Sequence, residues 1–306
     1  SGMKKMGILW GAVLCTLLWG SAFPGVKIGY ELFAIDGDNV FQKLLFAGVR
    51  FALAGGAVLL YAKAKGVKGL ALRRENLGGI LMMALLQTGL QYMLFYLGLS
   101  NTSGSRGAVI TGSAVFFSVI GAHFLFRDDR LTWGKAAGCA IGFAGVILVN
   151  LSGGADLAGS ASFRGEGLMA LSAMCTGLAA PYSKRLSEMG LGPEMITGWQ
   201  MFLGGSGLLL AGVLGRGWLP VVSPAGIGLM VYLAALSSVA FTLWTGLLRV
   251  HPSSSVAVYN FLVPVFGTLL SGLFLNEQVL TVRNLTALAL VCAGIVLINR
   301  KKTDMP

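Results

Sequence analysis

Residues 145–150 read GVILVN, and residues 294–299, 149 positions later, read GIVLIN. This match closes a longer one, because residues 99–150 align without a gap onto 248–299 with 12 identities in 52 positions. Two earlier pairs of segments match more weakly: RFALAGGAVLL (50–60) with QMFLGGSGLLL (200–210), and PGVK (24–27) with PYSK (181–184). The chain therefore contains two copies of one unit.

The composition is that of a membrane protein. Of 306 residues, 55% are hydrophobic and only 11% are charged, whereas soluble domains carry roughly 25% charged residues. Apolar runs long enough to cross a bilayer core of about 30 Å as helices recur along the chain. They predict ten transmembrane helices and an all-α integral membrane protein. The predicted spans are 6–29, 43–63, 77–99, 106–126, 133–151, 165–186, 194–215, 223–248, 253–275 and 281–299.

The repeat divides the chain into two halves of five spans. We expect a tag remnant and short N-terminal segment at 1–5, a first repeat at 6–151, an outer linker at 152–164, a second repeat at 165–299 and a tail at 300–306. Because five is odd, the second copy enters the membrane from the opposite side. This is a 5+5 inverted-topology repeat, an architecture that many secondary transporters use for alternating access.

The basic residues predict the orientation. With a cytoplasmic N-terminus, sixteen Lys and Arg residues fall in inner segments and five in outer ones. The positive-inside rule then places both termini in the cytoplasm. The net charge of +11 is therefore explained by topology, and no nucleic-acid partner is predicted.

Several short motifs resemble a known family. They are WGSAF (19–23) with Lys27, the pair Arg50–Phe51, an acidic residue shortly before Leu-Thr (Asp128 and Glu277), and the closing AGVILVN and AGIVLIN. Together they look like paired EamA domains of the drug/metabolite transporter (DMT) superfamily. The resemblance implies export or exchange of small metabolites, often amino acids, across the bacterial inner membrane. It also implies a central cavity lined mainly by helices 1, 3, 4, 6, 8 and 9.

The two copies depart from each other in ways that bear on the substrate. The second copy has Thr176–Gly177 where the first has Trp19–Gly20, and Gln200 where the first has Arg50. Substrate contacts therefore need not be symmetric.

The third span has a polar face. Gln87 and Gln91 are four residues apart and stack on one side of a helix, with Tyr92 and Tyr96 beside them. Because lipid-facing glutamine is costly, this face must point at protein or water. We interpret it as cavity lining; interhelical hydrogen bonding is the alternative.

Three basic residues are candidates for charge recognition or gating: Lys27, Arg50 and Lys184. Lys27 and Lys184 follow prolines at the same place in each half, so the prolines are expected to loosen the helix ends and let each lysine attract an anion. Snorkelling to headgroups is the alternative. Arg50 lies within its span, where an unpaired cation is costly. It binds either a substrate carboxylate or a structural partner such as Asp38.

The other candidate substrate contacts are aromatic and polar side chains of spans 1, 4, 8 and 9. Pro264 can bend span 9 and free a carbonyl. The alternative for Pro264 is a packing kink, and for Trp19 it is an interfacial or core aromatic. The candidates are Trp19, Arg106, Thr111, Trp244, Tyr259 and Asn260.

The residues exclude several functions. No Asp or Glu lies in the middle of a span, no phosphate-binding loop is present, and no nucleophile–base pair or metal cluster is evident. The prediction is a secondary transporter, not an enzyme and without a cofactor, exporting or exchanging an amino acid or small carboxylate, as a monomer or homodimer. The alternatives are a multidrug or amphiphile exporter of the same fold, and a non-transporting receptor or scaffold.

Overall fold

The computed structural model describes residues 2–151, 157, 160–274, 276 and 278–300, with the backbone alone for residues 2–6. Ser1, seven positions of the predicted linker, Leu275, Glu277 and the tail beyond Arg300 lie outside the described residues. Within the described ranges the chain is helical and has no strand. The helices are α1 (Gly2–Leu32), α2 (Val40–Ala64), α3 (Arg74–Gln87), α4 (Gly89–Leu99), α5 (Gly104–Gly112), α6 (Ala114–Leu125), α7 (Trp133–Asn150), α8 (Leu168–Glu188), α9 (Pro193–Leu214), α10 (Pro224–Val250), α11 (Ser253–Ala257), α12 (Leu262–Phe274) and α13 (Val282–Asn299).

These helices form ten membrane-length segments in the order predicted. Three of the predicted spans are interrupted: α3 and α4 meet at Thr88, α5 and α6 meet at Ser113, and a 3₁₀ turn at Val258–Phe261 joins α11 to α12. Nine segments of the described chain are long and apolar enough to cross a bilayer. The tenth, α8, is more polar, which fits its place against α4 and α6 inside the bundle.

The prolines do not loosen the ends of the first and sixth spans. α1 runs through Pro24 to Leu32, and α8 runs through Pro181 to Glu188. Lys27 and Lys184 therefore lie within continuous α-helix.

α2 and α9 cross at close range through glycines that obey a two-fold relationship. In the 150-residue register, Gly48 corresponds to Gly198 and Gly55 to Gly205. A Cβ on Gly48 would lie 2.9 Å from the carbonyl oxygen of Gly205, and one on Gly55 would lie 2.6 Å from that of Gly198. Each contact is thus repeated with the two halves exchanged, which is how antiparallel copies pack about a two-fold axis.

α7 and α13 repeat this arrangement at the other long interface between the halves. In the 149-residue register, Gly138 corresponds to Ala287 and Gly145 to Gly294. A Cβ on Gly138 would lie 2.8 Å from Gly294 O, and one on Gly145 would lie 2.7 Å from Ala287 O. The repeat seen in the sequence is therefore an inverted repeat in the fold.

The bundle has two faces, and they are not equally closed. We call the face where α1 begins and α13 ends the termini face, and the other the far face. At the termini face α6 of the first half packs against α11 of the second. Their repeat counterparts at the far face, α12 and α5, make no comparable packing along the described residues. The packing between the two halves is therefore closer at the termini face than at the far face.

Candidate substrate cavity

Arg50 occupies the middle of α2, deeper than the sequence indicated. Because α2 begins at Val40, ten residues before Arg50, the arginine lies about 15 Å along the helix at 1.5 Å per residue. The side chain is 7% exposed, and its Nε donates a hydrogen bond to Ser237 Oγ of α10 at 3.0 Å. The partner proposed as an alternative, Asp38, makes no ion pair with it.

The rest of the guanidinium is free to bind another group. In the part of the chain that the structure describes, its two terminal nitrogens have no hydrogen-bond partner and no carboxylate within 4.0 Å. The guanidinium carbon lies 4.8 Å from the centre of the Phe51 ring. An arginine can donate five hydrogen bonds in a fixed fork. Only the Nε donor is used here, in the bond to Ser237, so the donors of the two terminal nitrogens remain unused within the described chain.

Tyrosines and phenylalanines surround this position on the far-face side. The hydroxyls of Tyr30 and Tyr96 lie 3.4 Å apart and join α1 to α4. The ring of Tyr92 is tilted against that of Phe51 at 4.7 Å and stacked on that of Tyr96 at 6.2 Å between ring centres. The predicted residues Tyr92 and Tyr96 are thus brought together with Arg50.

Trp19 forms the next part of the wall. Its ring lies 5.0 Å from Phe241 and 5.1 Å from Trp244 between centres, so α1 and α10 meet through aromatic contacts. The indole Nε1 of Trp19 is buried and has no hydrogen-bond partner among the described residues. A buried donor without a partner is costly, and a bound ligand or water would satisfy it.

The two predicted glutamines of the third span have different surroundings. Gln91 Nε2 donates to Ser172 Oγ of α8 at 3.2 Å, and Ser172 Oγ donates to the Gln91 carbonyl at 2.9 Å. Gln87 is 9% exposed, and its Oε1 is buried without a partner in the described chain. Its neighbour Thr88 donates to Gln200 Oε1 at 2.7 Å.

The remaining basic candidates lie away from Arg50. Lys27 is exposed near the far-face end of α1. Lys184 Nζ donates to the carbonyls of Leu248 and His251 at the end of α10, at 3.1 and 2.9 Å. It therefore satisfies carbonyls that the helix end leaves open.

Arg106 lies at the far-face mouth and is already paired. Its NH1 is 3.0 Å from Glu166 Oε1, and Thr102 Oγ1 donates to the same oxygen at 2.8 Å. Glu166 precedes α8, so this group ties the first half to the second. Arg106 is consequently a less available anion ligand than Arg50.

Three polar candidates of spans 4 and 9 differ in their surroundings. Thr111 Oγ1 donates to the Gly107 carbonyl of its own helix at 2.8 Å. Tyr259 is 4% exposed in the core cluster that contains Val146 of α7 and Val291 of α13, a different cluster from that of Phe51. Asn260 is half-buried in the 3₁₀ turn.

Asp129, Ser172 and Glu166 escaped the sequence analysis. Asp129 is 2% exposed although it lies in the loop between α6 and α7. Its neighbour Asp128, which the repeat motif singled out, is exposed. The sequence signal for Asp129 is only that two acids follow each other at a helix end, which does not say which of them is buried.

The fold is that of a polytopic membrane protein with an inverted repeat. The chain matches the EamA-like transporter family over residues 5–151 and 163–300, and it belongs to that family. A solved crystal structure superposes with a TM-score of 0.76 over 96% of both chains at 17% sequence identity, which shows the shared fold.

Similar proteins come from bacteria and archaea. The probable terminal-alkyne amino-acid exporter of Streptantibioticus cattleyicolor is 28% identical over 98% of this chain and 95% of its own. An uncharacterized transporter of Archaeoglobus fulgidus is 29% identical over 87% of this chain and 88% of its own. The uncharacterized inner membrane transporter YedA of Escherichia coli K12 is 27% identical over 97% and 92%. All three names describe a transporter or an exporter.

Proposed function

We propose that this transporter exports or exchanges a small metabolite with a carboxylate, an amino acid or a small organic acid, by alternating access. The observation that carries the proposal is Arg50, a cation in the middle of the bundle whose terminal nitrogens have no partner in the described chain. A planar guanidinium matches the two oxygens of a carboxylate. An intramembrane cation of this kind is typical of a substrate site.

The surroundings of Arg50 support the same cargo. Aromatic rings of α1, α2, α4 and α10 form the wall beside it. They exclude water, so a charge pair with Arg50 would be stronger than at a surface. They also offer apolar contact to the rest of a small substrate. The relative named as an amino-acid exporter favours this reading for the cargo.

We further propose that the protein resides in the inner membrane with both termini in the cytoplasm. The excess of Lys and Arg in the segments of the termini face supports this orientation. The far face is then periplasmic, and the arrangement described here is open outward. The protein would work as a monomer or a homodimer.

Counterflow in proteoliposomes tests the cargo class. Liposomes are loaded with one unlabelled amino acid, the labelled amino acid is added outside, and its uptake is measured. The assay is repeated with liposomes loaded with the carboxamide or the decarboxylated amine of the same amino acid. We expect uptake to be driven by the acid and not by the two analogues. Equal uptake into liposomes loaded with the amide would overturn carboxylate recognition. Transport of cationic amphiphiles alone would favour the multidrug alternative, and no flux of any compound would favour a receptor.

A further inference from the structure

The closure of the termini face centres on one buried carboxylate. Asp129 belongs to the first half, in the loop between α6 and α7, and is 2% exposed. Its Oδ1 accepts from Lys135 Nζ at 2.5 Å and from Ser254 Oγ. Its Oδ2 accepts from the Ser254 backbone N–H at 3.0 Å and from Ser253 Oγ at 3.3 Å. Both oxygens of the carboxylate therefore accept a hydrogen bond from a residue at the start of α11.

These bonds cross from one half of the protein to the other. Ser253 and Ser254 are the first residues of α11, the element that packs against α6 at the termini face. Arg185 of α8 adds a hydrogen bond to the Leu125 carbonyl of α6 at 2.6 Å. Removing α11 from α6 would therefore leave Asp129 buried beside Lys135 but without its second-half donors, and this is costly unless the loop also moves.

The same elements in the other half are disengaged at the far face. In the 149-residue register α11 corresponds to α5, α6 to α12, and Lys135 to Asn284. α5 and α12 do not share the packing seen between α6 and α11 in the described chain. Asn284 is 6% exposed, and its Oδ1 is buried with no partner among the described residues. The repeat-related elements are therefore present at the far face, but within the described chain they are not packed against each other in this arrangement.

We propose that Asp129, Lys135 and the serines at the start of α11 form a clamp that holds the termini face shut and biases the transporter toward the far-face-open arrangement. The counterpart of Lys135 is the neutral Asn284, and the counterpart of Asp129 in the same register is Gln278. The aligned positions at the far face thus lack this ion pair, and the two closures differ in strength. The inference rests on the proposed transport function, but its test needs no substrate.

Spin-label distances measured by pulsed electron paramagnetic resonance test the clamp in lipid nanodiscs. The four native cysteines are first replaced. One labelled pair, Arg127→Cys with Val250→Cys, spans the termini face, and another, Gly104→Cys with Leu273→Cys, spans the far face. All four sites are exposed. Each pair is then measured with Asp129→Asn, with Lys135→Gln and with the control Asp128→Asn, whose side chain is exposed.

Some parent molecules will have a long termini-face distance and a short far-face distance. We expect the fraction of such molecules to be at least twice as large in Asp129→Asn and in Lys135→Gln. Asp128→Asn should match the parent. The proposal is overturned if both clamp variants keep the parental distributions, or if Asp128→Asn shifts them equally. If Asp129→Asn does not fold, Lys135→Gln decides the question. Failure here with intact carboxylate counterflow would reject the clamp and leave the cargo proposal standing.

Discussion

Arg50 and Gln200 occupy equivalent positions in the two repeats, 150 residues apart. In the described chain Arg50 bonds to Ser237, but Gln200 does not bond to Gln87, the residue equivalent to Ser237. Arg50 Nε reaches Ser237 Oγ at 3.0 Å. The equivalent pair is Gln200 and Gln87, whose Nε2 and Oε1 are both buried without partners. The glycine crossings repeat with the two halves exchanged, whereas the side-chain contacts at this central position do not. Arg50 is therefore a cation on one side of the pseudo-axis, and the neutral Gln200 stands at the equivalent position on the other side.

Replacing that cation should impair recognition of an acidic substrate. A hydrogen bond to a charged group contributes about 1.5–3 kcal/mol, so we expect Arg50→Gln, which copies the second repeat, to raise the half-saturating concentration in counterflow roughly 10- to 100-fold. Arg50→Lys keeps the charge but not the forked donor geometry, so its half-saturating concentration should lie between those of the parent and Arg50→Gln. Arg74→Gln, at an exposed position, is the control. Unchanged saturation in Arg50→Gln, with monodisperse protein, would remove Arg50 from the substrate site.

Gln91 offers a test of the polar face of α4. Ser172 can still donate to the Gln91 backbone carbonyl after Gln91→Leu, so we expect little loss of expression or thermal stability. Flux should fall several-fold, because a leucine replaces a polar group in the path. Leu90→Met, at the exposed neighbouring position, should transport like the parent. Normal flux in Gln91→Leu would mean that this glutamine serves only to hold α4 against α8.

The sequence predicts most of the fold because the fold depends on regular, repeated signals. Apolar run length predicts each helix, and the register of 149 to 150 residues predicts which elements are related. The inverted packing at Gly55 and Gly145 follows that register. The breaks at Thr88 and Ser113 were not predicted, since one polar residue within an apolar run does not reveal that a tertiary contact such as Thr88 to Gln200 will interrupt the helix.

The site is less predictable because its contacts join residues far apart in sequence. The polar stripe of α4 and the isolated Arg50 are visible as exceptions to hydrophobicity, and the structure brings Arg50, Tyr92 and Tyr96 together. That Ser237 holds Arg50, or that Arg106 is held by Glu166, depends on helix packing between the halves. Burial of Asp129 depends on the same packing.

The close crossing of α2 and α9 should depend on glycine at Gly55. A Cβ on Gly55 would lie 2.6 Å from Gly198 O, a backbone atom that cannot rotate away. We expect Gly55→Ala to lower the free energy of unfolding by about 1–3 kcal/mol, as overpacking does, and to lower the melting temperature in detergent. Gly56→Ala is a matched control, because its Cβ would meet only Phe202 Cδ2 at 4.0 Å. Equal melting temperatures for both would show that α2 and α9 can separate slightly without cost.

The orientation can be read from single cysteines in a background without the native ones. Gly37 lies in the far-face loop after α1, and Lys68 lies in the termini-face loop after α2; both are exposed. If the positive-inside rule holds, a membrane-impermeant maleimide should label Gly37→Cys in intact cells and Lys68→Cys only after permeabilisation. The reverse pattern would invert the topology and make the present arrangement open to the cytoplasm.

The clamp residue Asp129 should make stability depend on pH in a specific direction. Burial alone would raise the pKa of its carboxyl, but the hydrogen bonds from Lys135 and Ser254 outweigh burial and hold the pKa below its usual value. A carboxyl whose pKa is lower in the folded than in the unfolded protein stabilises the fold when it is ionised. Its contribution is therefore complete at neutral pH and is lost as the pH falls through the lowered pKa.

The melting temperature should report this loss as a difference between two proteins. At pH 7 we expect the parent to melt several degrees above Asp129→Asn, and the gap to narrow steadily as the pH is lowered past the usual range of aspartate. Subtracting the two curves removes the effect of other groups near the loop, such as His123 and Arg130, which both proteins share. Asp128→Asn should follow the parent at every pH, because that carboxylate is exposed. A gap that stays constant with pH would mean that Asp129 contributes by packing and neutral hydrogen bonding, and that its charge does not stabilise the closed termini face.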